Sequence, residues 1–363
     1  MLKAKALLLA FVSPAVIGVA PPSPDPPAGY PSSYRQLIGA AEREATLIIY
    51  SSTDKGEAAG LLAAFARRYP RIRVDYRELS SQRMFDTFVT QVRDKQPTAD
   101  LLWSAAMDLQ TKLVNDGYAQ AYASPEKPNL PPWAIWKNQA WGTTAEPIVI
   151  AYNRKLVPAA DVPRTHADLT RLLRAKRSFY RGRVGTYDPA RSSAGYLFIS
   201  QDMQVSRDTL PLIAAMGQAN VALYATSEEM LGPLAAGRLL ISYNMLGAYA
   251  LERQSHNPSI GVVMPSDYTL VMTRIALIPK EARHPNAAKL FLDFLLSRLG
   301  QAELSRRFMT PVRGDVPTRP GARAPASVAR AIRISPALIA NVDQLKRRRF
   351  VHQWNAALGA RVK

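Results

Sequence analysis

The sequence predicts an α/β protein made of two lobes. From Tyr34 onward, segments with the 3.6-residue apolar period of helices alternate with short runs rich in β-branched and aromatic residues, as in strands. This alternation favours helices layered on largely parallel sheets. It continues over roughly 320 residues, which is more than one small sheet accommodates, so we expect two α/β lobes.

In the first part of the chain, each predicted helix follows a predicted strand. Leu61 and Phe65 share one face of a helix, and Gly117 follows the end of another. The predicted elements are helix Tyr34–Ala45, strand Thr46–Tyr50, helix Ala58–Tyr69, strand Ile72–Tyr76, helix Gln82–Arg93, strand Asp100–Trp103 and helix Leu109–Asp116.

The second part opens with a Pro- and Trp-rich crossing over 125–141. Thr165 is the expected N-cap of a helix that runs to Leu173. The predicted strands are Pro147–Tyr152, Arg183–Tyr187, Val221–Tyr224, Leu239–Tyr243, Gly261–Met264 and a long Thr269–Ile278, followed by an amphipathic helix Asn286–Leu296.

The N-terminus has the layout of a secretory signal peptide. Two lysines in residues 1–5 precede the apolar run 6–12, and a stretch of small residues follows. The apolar segment is too short to span a membrane. We expect residues 1–20 to be removed, with cleavage after Ala15 or Ala20, and the mature protein to be soluble and periplasmic. Residues 21–33 are proline-rich and predict an extended linker.

Composition excludes several classes of site. The 363-residue chain has no cysteine, which excludes disulfides, thiolate metal sites and a cysteine nucleophile. It carries 47 Lys+Arg against 28 Asp+Glu, a net charge of +19. Such a surplus suits nucleic acid, a membrane surface or an anionic small ligand.

The sequence offers little support for catalysis. It contains none of the common nucleophile-elbow, phosphate-loop, dinucleotide or zinc-protease motifs. Its four histidines are scattered and have no metal-ligand spacing. We therefore expect no enzyme activity, no cofactor and no metal site. An enzyme acting on a phosphoester stays a rival that would need a base and a nucleophile in reach.

Four predicted strands run into polar turns of small residues that open helices. The ligand crevice of an open α/β sheet lies at the carboxyl ends of its strands, where helix N-termini offer free N–H donors. The turns lie in Ile49-Tyr50-Ser51-Ser52-Thr53-Asp54, Trp103-Ser104-Ala105-Ala106-Met107-Asp108 and Tyr187-Asp188-Pro189-Ala190-Arg191-Ser192-Ser193-Ala194-Gly195, with Ser242-Tyr243-Asn244-Met245-Leu246-Gly247 as the candidate for a fourth. Arg191 adds a forked cation beside two hydroxyls, so this turn points most directly to an anion. The alternative for each turn is that its Ser or Thr only caps the helix.

These segments resemble the periplasmic solute-binding proteins of ABC importers, in the branch with ferric-ion, phosphonate, sugar-phosphate and phosphoglycerate receptors. The resemblance covers about Ala45 to Val316. It is carried by TLIIYSSTD, TADLLWSAAMDLQTKL, GTTAEPIVIAYN, TYDPARSSAG, GRLLISYN and a closing stretch ending in RGDV.

The resemblance implies a type 2 periplasmic-binding fold, with a hinge of crossing strands and a ligand cleft between the lobes. We expect residues 34–146 and 267–363 in the first lobe and 147–266 in the second. The ligand residues would be Ser51, Ser52, Thr53 and Ser104 from the first lobe and Arg191, Ser192, Ser193 and Gly195 from the second, with Tyr243, Asn244 and Glu146 at the side.

The resemblance also bears on the ligand. Ferric receptors of this family use two adjacent tyrosines, whereas the matching place here is Tyr243-Asn244 and no consecutive tyrosines occur. We therefore expect a phosphorylated or carboxylated organic anion, with ferric ion as the alternative. The expected partner is an ABC permease, or a membrane sensor kinase if the receptor senses instead of transporting, and we expect a monomer.

The charge surplus is concentrated at the C-terminus. From Arg298 to Lys363 there are 14 Lys+Arg against 3 Asp+Glu, a surplus of 11. The simplest interpretation is the solvated face of a helix that packs Phe350, Trp354 and Leu358 inward. Docking on an acidic membrane partner or on the bilayer is the alternative, and nucleic acid is not an expected partner of an exported protein.

Overall fold

Two mixed β-sheets organise the part of the chain that the computed structural model describes, residues 24–359. The helices are α1 Tyr34–Glu44, α2 Lys55–Arg68, α3 Ser81–Arg93, α4 Met107–Asn115, α5 His166–Ala175, α6 Arg177–Tyr180, α7 Ser193–Val205, α8 Thr209–Gln218, α9 Ser227–Ala235, α10 Gly247–His256, α11 Pro285–Leu296, α12 Arg298–Arg306 and α13 Gln344–Leu358. The strands are β1 Thr46–Ser51, β2 Arg73–Glu78, β3 Leu101–Ser104, β4 Ile135–Trp136, β5 Ala140–Gly142, β6 Glu146–Asn153, β7 Val184–Tyr187, β8 Ala222–Tyr224, β9 Ile241–Leu246, β10 Ile260–Val263, β11 Thr269–Met272, β12 Ile275–Leu277 and β13 Ala329–Ala331.

The first sheet has the order β2-β1-β3-β12-β5-β4. β1 pairs in parallel with β2 and β3, while β12 is antiparallel to both β3 and β5. Leu47, Phe65, Trp103 and Phe291 are fully buried in the core of this lobe. The parallel part therefore places the ends of β1 and β3 at the same edge, where α2 and α4 begin.

The second sheet has the order β13-β11-β6-β9-β7-β8, with β10 also paired to β6. β7 is parallel to β8 and β9, whereas β6 runs antiparallel to β9. The N-cap predicted for α5 is confirmed, because the Thr165 side chain accepts a hydrogen bond from the Asp168 N–H at 2.9 Å. Both sheets are thus mixed and not largely parallel, since the crossing strands run against their neighbours.

The chain crosses between the sheets at two short segments. β5 belongs to the first sheet and β6 to the second, so residues 143–145 form one crossing. β11 and β12 lie in different sheets, so the predicted long strand Thr269–Ile278 is divided at Thr273 and Arg274. The crossings are joined by hydrogen bonds, including Thr143 N–H to the Arg274 carbonyl at 2.9 Å. The fold is therefore a two-lobed α/β fold with crossing strands, as predicted.

Both ends of the described chain pack on a lobe. The predicted signal segment, 1–20, lies outside the described residues. In the linker region, Tyr30 packs edge-on against Tyr34 at 4.6 Å and its hydroxyl donates to Glu126, so residues 24–33 lie against the first lobe.

The C-terminal arm, residues 329–358, leaves the first lobe, where the sequence had placed everything from 267 onward. β13 pairs with β11 in the second sheet, and α13 packs against α8. Between them, the 3-10 helix Pro336–Val342 packs on α4 of the first lobe and contacts α7 of the second. The physical reason is burial, since Trp354 is only 3% exposed within the core of the second lobe.

Candidate ligand-binding site

The turn after β1 uses its three predicted residues in different ways. Ser51 is fully buried, and its hydroxyl donates to the Trp103 carbonyl at 2.9 Å. The Ser52 hydroxyl lies 2.9 Å from that of Ser104. The Thr53 hydroxyl accepts a hydrogen bond from Nη1 of Arg274 at 2.9 Å. Of these three residues, Ser51 and Thr53 are buried and Ser52 is half-buried.

A cluster of three serine hydroxyls forms at the ends of β1 and β3. Ser81, at the start of α3, brings its hydroxyl to 3.2 Å from that of Ser104. The Ser52 and Ser104 oxygens also accept the N–H groups of Ala105 and Ala106, each at 3.1 Å. Ser52 and Ser81 are half-buried, so this serine cluster (Ser52, Ser81 and Ser104) presents hydroxyl groups at the edge of the lobe.

The turn after β7 opens α7 as a helix N-terminus with free donors. Ser192 is the N-cap, because its hydroxyl accepts the Gly195 N–H at 3.1 Å. The N–H groups of Ser193 and Ala194 have no acceptor among residues 24–359. A side chain at Gly195 would place its Cβ 2.2 Å from that of Tyr187, so only glycine fits this close approach. The turn can therefore offer two N–H donors and a positive dipole end to an anion.

Arg191 stands beside these donors and is weakly engaged. Its side chain is 58% exposed, and Nε lies 3.3 Å from Oδ2 of Asp188. An exposed pair at this distance contributes little binding energy and leaves most guanidinium donors available. The predicted group of Arg191, Ser192, Ser193 and Gly195 is thus contiguous in the structure.

Tyr243 and Asn244 are directed at a buried carboxylate. The Tyr243 hydroxyl and the Asn244 amide both donate to Oδ2 of Asp202, at 2.8 and 2.6 Å. Tyr268 donates to Oδ1 at 3.0 Å. Asn244 has a φ of 58°, next to an irregularity in the pairing of β6 with β9. The structure therefore does not bring Tyr243 and Asn244 to the serine cluster or to the Arg191 turn.

Glu146 is held by a buried arginine at the crossing strands. Nε and Nη2 of Arg274 donate to the two Glu146 oxygens at 2.8 and 3.2 Å, and both side chains are fully buried. The same guanidinium bonds Thr53 and lies 5.6 Å from the ring centre of Tyr249. Both carboxylate oxygens of Glu146 are therefore occupied by Arg274, and Glu146 holds the crossing strands together.

A second carboxylate at this hinge lacks hydrogen-bond partners. Oε2 of Glu57 is buried without a hydrogen bond, 3.9 Å from Nη2 of Arg274. Burial raises the pKa of Glu57 to about 7, and the charge of Arg274 opposes the shift. Beside it, the Tyr249 hydroxyl on α10 of the second lobe donates to Oδ2 of Asp54 on the first lobe at 2.7 Å.

The family model for bacterial extracellular solute-binding proteins matches residues 60–335, more than half of the chain. The protein belongs to this family. The family binds solutes for transport and is not a family of enzymes. The resemblance found in the sequence is thereby confirmed.

Solved structures of solute-binding proteins share the fold. The substrate-binding protein of an ABC transporter from Agrobacterium tumefaciens is 36% identical, with 86% of this chain and 94% of that chain covered and a TM-score of 0.80. Iron-bound HitA from Pseudomonas aeruginosa is 19% identical, covering 84% and 99%, with a TM-score of 0.69. AfuA from Actinobacillus pleuropneumoniae, solved with fructose 6-phosphate, is 20% identical, covering 86% and 98%, also with a TM-score of 0.69. No curated protein gives a significant match.

Two further findings describe this solute-binding protein. Within residues 24–359, no helix is long and apolar enough to cross a membrane. The same residues contain no group of three or more His, Asp or Glu side chains placed to hold a metal ion.

Sequence reasoning missed three residues of the solute-binding protein. Ser81 follows β2 in the same strand-to-helix pattern as the predicted turns, so that pattern could have found it. Arg274 is a lone cation inside a long apolar run, which signals a buried ion pair. Asp202 lies within the apolar α7 and gave no signal about its partners, which are 41, 42 and 66 residues away.

Proposed function

We propose that this solute-binding protein captures a phosphorylated or carboxylated organic anion between its lobes and presents it to the permease of an ABC importer in the periplasm. The observation that carries the proposal is the α7 turn. It combines free N–H donors of Ser193 and Ala194 with the weakly paired Arg191 guanidinium.

The serine cluster of the first lobe supports the same ligand class. Hydroxyl groups donate to phosphate or carboxylate oxygens and also accept from ligand hydroxyl groups. AfuA, which shares the fold, was solved with fructose 6-phosphate. Ligand bound at both edges would stabilise the closed arrangement of the lobes, which a permease can recognise.

A thermal-shift panel of phosphate esters, phosphonates, dicarboxylates and ferric chelates identifies the ligand class. A ligand at about 100 times its dissociation constant adds about 2.7 kcal/mol to the free energy of unfolding. We expect the shift with one of the anionic classes. A shift confined to ferric chelates, with a visible charge-transfer band, would support the alternative of a ferric receptor and refute the organic-anion proposal.

Arg191→Ala tests the assigned turn. We expect the variant to bind the ligand found in the panel at least tenfold more weakly by titration calorimetry, because a charge-assisted donor is lost. Arg181→Ala, an exposed arginine of the same lobe, is the matched control and should bind normally. Unchanged affinity of the folded Arg191→Ala protein would show that the anion lies elsewhere.

A further inference from the structure

Helix α13 carries a row of cations that the proposed ligand site does not use. Lys346, Arg348 and Arg349 are exposed, and Arg347 is half-buried. None of the four side chains forms an ion pair within residues 24–359. Successive residues of an α-helix lie about 100° apart, so the four do not share one side. Arg347 is directed at Tyr196 of α7, whereas Lys346, Arg348 and Arg349 are exposed, and we call these three residues the basic face of α13. Uncompensated charge at this density favours contact with an anionic surface.

The inner side of α13 packs against the second lobe. Trp354 is 3% exposed in the second-lobe core, and Phe350 packs edge-on against Tyr196 with ring centres 4.8 Å apart. A Cβ at Gly217 of α8 would lie 2.1 Å from the Leu358 carbonyl oxygen, which shows how closely the two helices approach. The helix is therefore packed on the second lobe through Phe350 and Trp354, which leaves Lys346, Arg348 and Arg349 exposed.

The basic face also has a hollow and an apolar edge. A hollow of about 520 Å³ is bounded by Arg347, Arg348, Val351 and His352 of α13 and by Ala190. At the start of the helix, Leu345 is 59% exposed beside Lys346. Cations that surround a hollow and border an exposed apolar side chain suit the interface of a phospholipid bilayer.

Arg347 attaches α13 to the proposed ligand turn. Nη2 of Arg347 lies 3.3 Å from the carbonyl oxygens of Pro189 and Ala190, to which it donates. Its guanidinium lies 5.3 Å from the ring centre of Tyr196 on α7. A surface that binds α13 therefore holds the start of α7 close to it.

We propose that the basic face of α13 docks the protein on anionic phospholipid, with headgroup phosphates among Arg347, Arg348 and His352. Lipid is favoured over an acidic protein because the cations lie on a continuous helical surface that many mobile phosphates can satisfy together. Docking would keep the protein near the membrane that holds its permease. The inference rests on α13 and not on the identity of the ligand.

Vesicle co-sedimentation tests the docking. The purified protein is mixed with vesicles of phosphatidylglycerol and phosphatidylcholine, or of phosphatidylcholine alone, at low and high salt. We expect binding only to the anionic vesicles at low salt, since salt screens surface charge. The triple variant Lys346→Gln, Arg348→Gln, Arg349→Gln should bind at least tenfold more weakly.

The matched control removes the same charge from the first lobe. Arg67, Arg73 and Arg283 are exposed, and replacing all three by Gln should leave vesicle binding within twofold of the unaltered protein. Because every variant keeps the same N-terminus, any contribution of residues 1–20 cancels in the comparison. Calorimetry with the panel ligand should show normal affinity in both triple variants, so failure of docking and failure of the proposed function are separate results.

Three outcomes would overturn the proposal. The first is that the unaltered protein does not bind the anionic vesicles. The second is an equal loss in both triple variants, which would mean that net charge alone attracts the protein. The third is binding to permease-bearing phosphatidylcholine vesicles but not to phosphatidylglycerol, which would assign the basic face to an acidic protein surface.

Discussion

Arg274 carries a full charge with none of its side chain exposed, so its donors need partners inside the protein. It has them in Glu146 and Thr53, and the ring of Tyr249 covers the guanidinium. Glu57 lies at the edge of this arrangement and receives the field of Arg274 without a hydrogen bond. A carboxyl group in this position is poorly solvated and prefers to hold its proton.

Glu57→Gln tests this carboxyl group through the pH dependence of stability. The pKa of Glu57 is raised to about 7 in the folded protein, so the folded state binds a proton that the unfolded state releases. Stability from this group is therefore present below its unfolded pKa and is lost as pH rises through about 7. Relative to the glutamine variant, the wild type should lose about 2–3 kcal/mol between pH 5 and pH 8 in denaturant titrations.

The titration needs a matched Glu→Gln substitution away from the hinge. Glu281 is exposed, and Glu281→Gln should keep the pH profile of the wild type, because it leaves Glu57 and the groups around it in place. The facing groups that act on Glu57 are Arg274, Glu146, Asp54 and Glu252, and all are retained in the variant. If the wild type and Glu57→Gln showed the same pH profile, the carboxyl group would not be perturbed.

At the scale of elements, local patterns were predictable and long-range partners were not. The turns before α2, α4 and α7 were found because a strand, a polar turn and a helix follow each other in sequence. The division of Thr269–Ile278 into β11 and β12 was missed, although the polar pair Thr273-Arg274 interrupts the apolar run. Sequence gives no register between distant segments, so the pairing of β13 with β11 could not be predicted.

Tyr243 and Asn244 illustrate the same limit within the candidate site. Their position after a strand matched the pattern of the other turns, but an irregular pairing of β9 with β6 and the left-handed Asn244 direct both side chains to Asp202. A period-2 pattern assumes regular strand geometry, which a local irregularity breaks.

Gly217→Ala tests the packing of the C-terminal arm. The added Cβ would meet the Leu358 carbonyl at 2.1 Å, so α13 must move away from α8. We expect trypsin to cleave after Arg347–Arg349 at least tenfold faster, because cleavage needs the helix to open locally. Gly232→Ala is the control, since its Cβ meets nothing within 4 Å and alanine favours the helix. Equal cleavage rates in the two variants would show that α8 does not hold the arm.

For the whole molecule, the contacts between the lobes determine how far they separate. The Tyr249 hydroxyl of the second lobe donates to Asp54 of the first lobe at 2.7 Å. A second contact joins the lobes at the same helix, α10, where Oε1 of Glu252 lies 3.7 Å from Nη1 of Arg307 of the first lobe. These contacts do not involve the proposed ligand turn. They therefore bias the lobes toward each other before any ligand is bound, and a ligand adds to that bias by differential binding.

Tyr249→Phe should shift this balance toward the open arrangement. The chain has no cysteine, so Ala66→Cys on α2 and Arg174→Cys on α5 would carry spin labels without background labelling. Loss of one hydrogen bond to a carboxylate, worth about 1.5–3 kcal/mol when buried and less where exposed, should lengthen the mean distance between the labels and broaden its distribution.

Tyr224→Phe is the control for removing a hydroxyl elsewhere in the second lobe. A saturating ligand should restore the short distance in Tyr249→Phe. The apparent affinity of this variant for the ligand should be lower than that of the wild type, because fewer of its molecules are in the arrangement that can close on the ligand. An unchanged distance without ligand would mean that the hydrogen bond follows closure and does not favour it.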